Sequence, residues 1–396
     1  MNVQERPAVA IVGAGLSGLV CARILQRAGL PVTIHEADTA ADARRQGGSL
    51  DIHTATGQEA LRQAGVFDQF RALVRHGGEA TRVMDRHARL LVDESEVDGG
   101  NGRPEVERQA LRQLLVDALE PGTIRWGAKV TGVRTDGPVR ELQFVDGSTV
   151  TADLVVGADG AWSRVRSTAL TSTVPEYTGI TMVELRLSDA VRAHPEALRT
   201  TGHGTFFALS DNKSIGGHGG EEIALGLGLR VPEDWAATSG IDWTDPMAAR
   251  AALLREYRDW AGPLTDMIRD SDDTIWPRPI YALPIGLTWR RVPGVTAVGD
   301  AAHLMSPFAG EGANLALIDG ADLARTVIES PHLDRALGRY ERKMFRRAKA
   351  SASASARGLA MIFNDDAPRQ MVSFFERAAL LARLTRPLTR LLPGRP

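Results

Sequence analysis

Three clusters of glycines and polar side chains could do chemistry in this chain. In the first, Gly13, Gly15 and Gly18 follow the apolar run Ala8–Val12, and Glu36 closes a second apolar stretch, Val32–His35. Gly13 permits a tight turn, Gly15 lets backbone N–H groups approach a pyrophosphate, and Gly18 lets a helix from Leu16 to about Ala28 pack closely on the strand. The positive N-terminus of that helix faces the phosphates. An acid at Glu36, about 20 residues beyond the glycines, suits hydrogen bonds from an unphosphorylated ribose. With glycine at 40 of 396 positions the spacing alone is a weak signal. Strand, glycines, helix, strand and acid in that order predict a dinucleotide site.

The second cluster follows the buried-strand pattern Leu154–Val156. Asp159 and Gly160 read as a tight turn, and Ser163, Arg164 and Arg166 as the start of a helix. The third comprises Gly299 and Asp300, then Pro307, Gly310, Gly312 and Asn314, ahead of a helical stretch.

Around these clusters the pattern is α/β. Residues 54–75 read as two short helices separated by Gly65, 93–103 as a polar glycine-rich loop, and Gln109 to Leu119 as a helix. Short strands follow, and Asp146-Gly147 turns the chain back into Thr149–Val156, a meander that returns to a parallel sheet. From 174 to 285 the pattern shifts to strand alternation, with strands at Phe206–Ser210, Ile223–Val231 and Thr274–Leu283, a turn around Gly216–Gly220, and a helix at Pro246–Trp260. We therefore expect a Rossmann-like domain in two parts, 1–173 and 286–330. An inserted mixed β-sheet domain at 174–285 is expected to cover the substrate, and a helical segment occupies 331–396. The apolar and basic residues of the last stretch, Phe374 to Leu391, form an amphipathic helix expected to pack on the body.

Composition excludes several classes. The 47 basic and 49 acidic side chains leave a net charge of −2, so no overall field draws nucleic acid or an anionic membrane. No stretch reaches the roughly 18 apolar residues of a membrane span, and the N-terminus lacks the pattern of a secretory signal. A cytoplasmic monomer is expected. The single cysteine, Cys21, falls among core-facing positions of the first helix and reads as a buried thiol. His53 and His303 lack the convergent spacing of a metal site. Trp162 and Trp276 read as core or wall residues.

The three clusters together resemble the flavoprotein monooxygenases of the aromatic-hydroxylase type, with the p-hydroxybenzoate hydroxylase-like fold; the resemblance covers about residues 1–330. Finer features resemble their tetracycline-inactivating subgroup: Gly47 to Ala60, Pro104 to Arg108, and Gly299 to Gly310. The resemblance implies FAD as cofactor, NADPH or NADH as co-substrate, and O₂. Oxygen would pass through a C4a-hydroperoxyflavin to an aromatic or polycyclic, tetracycline- or polyketide-like small molecule. It places Asp51, Arg108 and Asp300 on FAD, and has the segment holding Asp159 and Gly160 serve both FAD and the nicotinamide nucleotide. Asp300 would accept from ribityl hydroxyls, and Gly310 to Asn314 would offer N–H groups and a helix dipole to the pyrimidine edge of the flavin. Arg44 would face the nicotinamide nucleotide, with Arg45 beside it able to pair with a 2′-phosphate.

The resemblance implies substrate contacts at Glu184, Ala224, Gly226, Pro307 and Gly310. Here the chain departs from the subgroup, with Glu184 in place of a glutamine, Ala224 near a histidine position and Leu264 near a tyrosine position. A halogenase or isoprenoid reductase of the same fold is a rival reading, although the halogenase Trp-x-Trp-x-Ile-Pro signature is absent and Trp276-Pro277-Arg278 is the nearest approach. A non-catalytic FAD protein that sequesters an aromatic ligand is a second rival.

Overall fold

The computed structural model describes residues 7–43, 48–74, 80–94, 103–137 and 139–385; Arg44, Arg45 and the terminal stretch from Arg386 lie outside them. Its first unit, Met1–Glu79, Gly99–Gly179 and Pro279–Leu359, is built on a five-stranded sheet. The order is Val295–Ala297, Leu154–Gly157, Val9–Val12, Val32–His35, Ile124–Arg125, and every pairing is parallel. The central strand is buried along its whole length, as a strand covered on both faces must be.

The helix Leu16–Arg27 packs on the long helix Gly312–Glu329. A Cβ on Gly320 would stand 2.3 Å from the Ser17 carbonyl oxygen, so glycine is what lets the two helices touch backbone to backbone. The expected meander is present as Val130–Arg134, Arg140–Phe144 and Thr149–Ala152, turned at Gly147 with φ +82°. Residues 54–74 include a π-helical turn, Thr54–Gln58, running into Glu59–Ala64; Gly65 closes it in the left-handed region, and Phe67–Leu73 follows. Cys21 is fully buried, and burial pushes its thiol up to about 12.

The second unit comprises Ala80–Asp98, Ile180–Arg278 and Ala360–Pro396. Its mixed seven-stranded sheet runs Trp276–Ala282, Glu176–Leu187, Ile223–Arg230, Lys213–Gly219, Gly204–Ser210, Ala80–Asp85, Leu90–Asp93. Two features differ from the sequence expectation. The segment from Ala80 belongs to this sheet because Ala80–Asp85 pairs in parallel with Gly204–Leu209, a long-range pairing that no local pattern announces. The glycines at 216–220 do not form the expected turn: Lys213–Gly219 is a strand, and the hairpin turns at Asp211-Asn212, both at positive φ. A helix Gly262–Arg269 follows Pro246–Glu256, and Leu264 is fully buried in the core of this unit. The C-terminal segment consists of Leu333–Ile362 and Arg369–Thr385 among the described residues. No helix among them is long and apolar enough to cross a membrane.

Candidate functional site

The glycine loop is shaped by the protein on one side and open on the other. Gly13 has φ +103°, and a Cβ there would meet the Ala158 carbonyl oxygen at 2.4 Å; one at Gly18 would meet the Gly13 carbonyl oxygen at the same distance. Those two glycines serve close packing. Gly15 is different, because a Cβ on it would find only one atom, at 3.8 Å. Gly15 caps the helix Leu16–Arg27 with no side-chain hydrogen bond and no acid in the first turn. The N–H groups of that helix end are therefore left for a ligand.

Glu36 is buried and braces this loop, accepting from the Ala14 N–H at 2.5 Å and the Asp38 N–H at 2.9 Å. A carboxylate retains acceptor capacity beyond two such bonds. Arg112, which the sequence reading did not single out, is buried beside the loop and donates to the carbonyls of Ala14 (3.1 Å) and Ala41 (2.6 Å). Its signal was available: a charged residue at a position that turns inward on an amphipathic helix.

The third cluster meets this loop. Gly299, at φ +60°, lies against Ser17 in the first turn of the glycine-loop helix, with a built Cβ 3.0 Å from Ser17 Oγ. Asp300 follows as the first residue of the short helix Asp300–His303. Its carboxylate is accessible yet densely surrounded; that desolvation pushes its pKa up, while His303 and Arg108 pull it down. The helix is gripped from behind. Asp319 accepts from the Gly299 N–H at 3.2 Å and lies 2.5 Å from His303 Nε2, and Arg347 holds the other Asp319 oxygen at 2.5 Å. Burial pushes His303 down, but the Asp319 carboxylate outweighs it and the net shift is upward. Asp319 is held below the usual carboxylate range by His303 and Arg347 against its own desolvation. His303 Nδ1 is buried without a partner among the described residues.

Asp51 and Asn314 complete the arrangement. Asn314 is fully buried and staples two segments: its Oδ1 accepts from the His53 N–H at 2.8 Å and its Nδ2 donates to the Asp51 carbonyl at 2.8 Å. This holds Asp51 beside Gly310, where a Cβ would lie 3.5 Å from the Asp51 carboxylate oxygens. Asp51 in turn takes His53 Nε2 at 2.9 Å. Pro307 and Gly310 are exposed and linked by the Gly310 N–H to the Pro307 carbonyl. The helix that starts at Gly312 has no side-chain cap and no acid in its first turn, and a Cβ on Gly312 would meet nothing within 4 Å. A second helix end is thus open.

The second cluster is a clamp. The Asp159 carboxylate is turned into the protein, accepting from Ser163 Oγ (2.5 Å) and from the N–H groups of Arg164 (2.7 Å) and Val165 (3.2 Å); burial pushes its pKa up against those bonds. Gly160 has φ +76° and open space around it, so backbone conformation is what requires glycine there. Arg166 is buried and donates to the carbonyls of Ala301 (2.9 Å), Ala161 (2.7 Å) and Thr173 (3.3 Å), tying this cluster to the helix that carries Asp300. Trp162 is exposed and stacks edge-on to Tyr281, which also meets Tyr177; Trp276 is exposed too, so neither tryptophan is a core residue.

In the second unit, Glu184, Ala224 and Gly226 share the sheet face opposite the core, since Val183, Leu185, Leu225 and Leu227 fill the core side. Glu184 is the register partner of Gly226 and forms an ion pair with Arg278 at 2.8 Å. A Cβ on Gly226 would stand 2.8 Å from Met182 Cε, and one on Gly216 3.2 Å from Phe207 Cδ1, so the glycines leave room for an apolar lining.

Comparison with known proteins bears on this geometry. A model described as FAD binding domain matches residues 6–212 and 288–355. Monooxygenase asqM of Emericella nidulans is 29% identical over 91% of this chain and 96% of its own. The 3-amino-4-hydroxybenzoate 2-monooxygenase PtnB3 of Streptomyces platensis is 30% identical over 85% of this chain and 84% of its own. Among solved structures, tetracycline destructase Tet(51) superposes with a TM-score of 0.69 at 20% identity, covering 98% of this chain and 99% of that one.

Proposed function

This chain belongs to the FAD-binding-domain family and is a FAD-dependent monooxygenase of the aromatic-hydroxylase fold; on that premise we propose that it consumes NADPH or NADH and O₂ to insert one oxygen atom into an aromatic or polycyclic small molecule. The observation that carries the reading is the pair of open helix ends, at Leu16 and at Gly312, on two helices packed together at Ser17 and Gly320. FAD held there would supply the redox chemistry that links the nicotinamide nucleotide to O₂.

The residues present fit that group. The N–H groups behind Gly15 receive the pyrophosphate, Glu36 accepts from a ribose, and Arg112 adds positive charge beside the loop. Asp300 accepts from ribityl hydroxyls. The helix end at Gly312 offers N–H groups and a positive dipole where negative charge gathers on the ring, and Asp51, steadied by Asn314, borders the same turn. Asp319 and Arg166, both buried, position the short helix that carries Asp300.

The aromatic class is supported by the relative named for an aminohydroxybenzoate. Glu184, Ala224 and Gly226 are the proposed substrate wall, and the Glu184–Arg278 pair gives it a polar edge. The test is NADPH and NADH oxidation by the yellow protein in aerated buffer, with tetracycline and then simpler hydroxylated aromatics, followed by mass analysis. A faster rate with a product heavier by one oxygen atom is expected for at least one compound. Tight ligand binding with no oxidation of either nucleotide would overturn the reading.

A further inference from the structure

The first unit carries a basic concavity that shares no residue with the cofactor site. It lies beside the N-terminal turns of the helix Leu333–Ile362, with a volume of about 510 Å³, and is lined by Arg291, Arg335, Arg339 and Arg342 together with Glu329 and Asp334. The two acids are already matched: Asp334 lies 3.5 Å from Arg291 and Glu329 3.4 Å from Arg325. The guanidinium groups of Arg335, Arg339 and Arg342 have no hydrogen bond or ion pair among the described residues. Their spacing of four and three places them on one helix face, and the exposed stripe continues through Arg346 and Lys349.

Gly338 sits inside this stripe. A Cβ there would lie 3.5 Å from Arg342 Nη1 and 3.7 Å from Arg291 Nε, so two guanidinium groups come close over its bare backbone. Asp334 offsets Arg291 alone, so the charges of Arg335, Arg339 and Arg342 are left without a carboxylate among the described residues, and a bound anion supplies the counter-charge. Guanidinium groups bind phosphate oxygens in a bidentate fork. Residues on successive turns of one face stand about 5–6 Å apart, a spread that several phosphates span better than one. The volume falls within the range of about 300–1,000 Å³ usual for small-ligand sites.

We propose that this concavity is an anion site for a small molecule bearing two or more linked phosphates, separate from the dinucleotide cradle. The same helix carries Arg347, which holds Asp319, so the site lies on the element that braces Asp300.

The test is calorimetric titration of FAD-saturated protein with inorganic pyrophosphate and with inorganic phosphate, at low and constant ionic strength. Pyrophosphate is expected to bind one-to-one and at least about tenfold more tightly than phosphate, with the affinity reduced about tenfold or more in an R335Q/R339Q/R342Q variant whose flavin spectrum is unchanged. A second variant, Gly338→Leu, keeps every charge and fills the space between Arg291 and Arg342, and is expected to lose binding as well. No heat with pyrophosphate, or equal affinity in the wild type and both variants, overturns the proposal.

Discussion

The glycines of the two units do opposite work. In the cofactor unit, Gly15 and Gly312 face open space, and their lack of a side chain leaves helix N–H groups bare. In the sheet unit, a Cβ on Gly217 would stand 1.9 Å from the Ala224 carbonyl oxygen, and one on Gly219 2.0 Å from the Gly202 carbonyl oxygen. There glycine is demanded by protein backbone. Gly13, Gly18 and Gly299 show that the packing kind also occurs inside the cofactor motifs, so a motif glycine is not by itself a ligand contact. The lesson is that the space around an absent side chain, rather than the motif it belongs to, says whether a glycine is kept for a ligand or for the fold.

Substitutions test this division. The largest effect is expected behind Gly299, where Asp319 holds both the Gly299 amide and His303. Asp319→Ala leaves Arg347 and His303 buried without that carboxylate, and should cost about 3–5 kcal/mol by chemical denaturation, the range for breaking a buried ion pair. The pair also predicts a pH dependence. His303 is raised in the folded protein, so its contribution is complete below the ordinary histidine value of about 6.5 and is lost as pH rises through the raised value. The thermal midpoint of the wild type should therefore fall as pH rises above about 6.5, and the profile of His303→Gln should be flatter over the same rise. Equal slopes would separate the pair from the stability of the loop.

Gly217→Ala comes next. The new methyl must displace a paired strand, and overpacking of this kind costs about 1–3 kcal/mol; flavin content per folded molecule should not change. Gly15→Ala should reverse that pattern, leaving the denaturation midpoint of the apoprotein in place while weakening FAD binding by about tenfold or more, 1.4 kcal/mol per factor of ten. Fluorescence titration of apoprotein with FAD reads it directly. The smallest effect is expected at Gly312→Ala, at the start of a helix with empty space around it. The apoprotein should gain up to about 0.5–1 kcal/mol from the helix preference of alanine over glycine, again with weaker FAD binding. If Gly15→Ala and Gly217→Ala behaved alike, the distinction between open and blocked glycines would fail.

Much of the cofactor unit was legible in the chain itself. The strand Val9–Val12, the helix from Leu16, the strand ending before Glu36, the Asp146-Gly147 turn and the helix from Gly312 all follow from local pattern, since apolar runs, glycine conformations and capping are properties of neighbouring residues. The FAD-dependent monooxygenase reading came instead from the resemblance of the three motif clusters to a known family, which the family match bears out. What the local pattern did not carry is everything settled by residues far apart in sequence. The parallel pairing of Ala80–Asp85 with Gly204–Leu209 is one case, and the strand through Gly216 to Gly219, which composition suggested was a turn, is another. Asp159 and Asn314 spend their side chains on the protein; Arg166 braces the site from within the second cluster, and Arg112 and Asp319 do so from positions that the sequence reading did not single out. A side chain's type and spacing determine which bonds it can make; which it does make depends on the carbonyls, amides and charges that folding brings within about 3 Å of it.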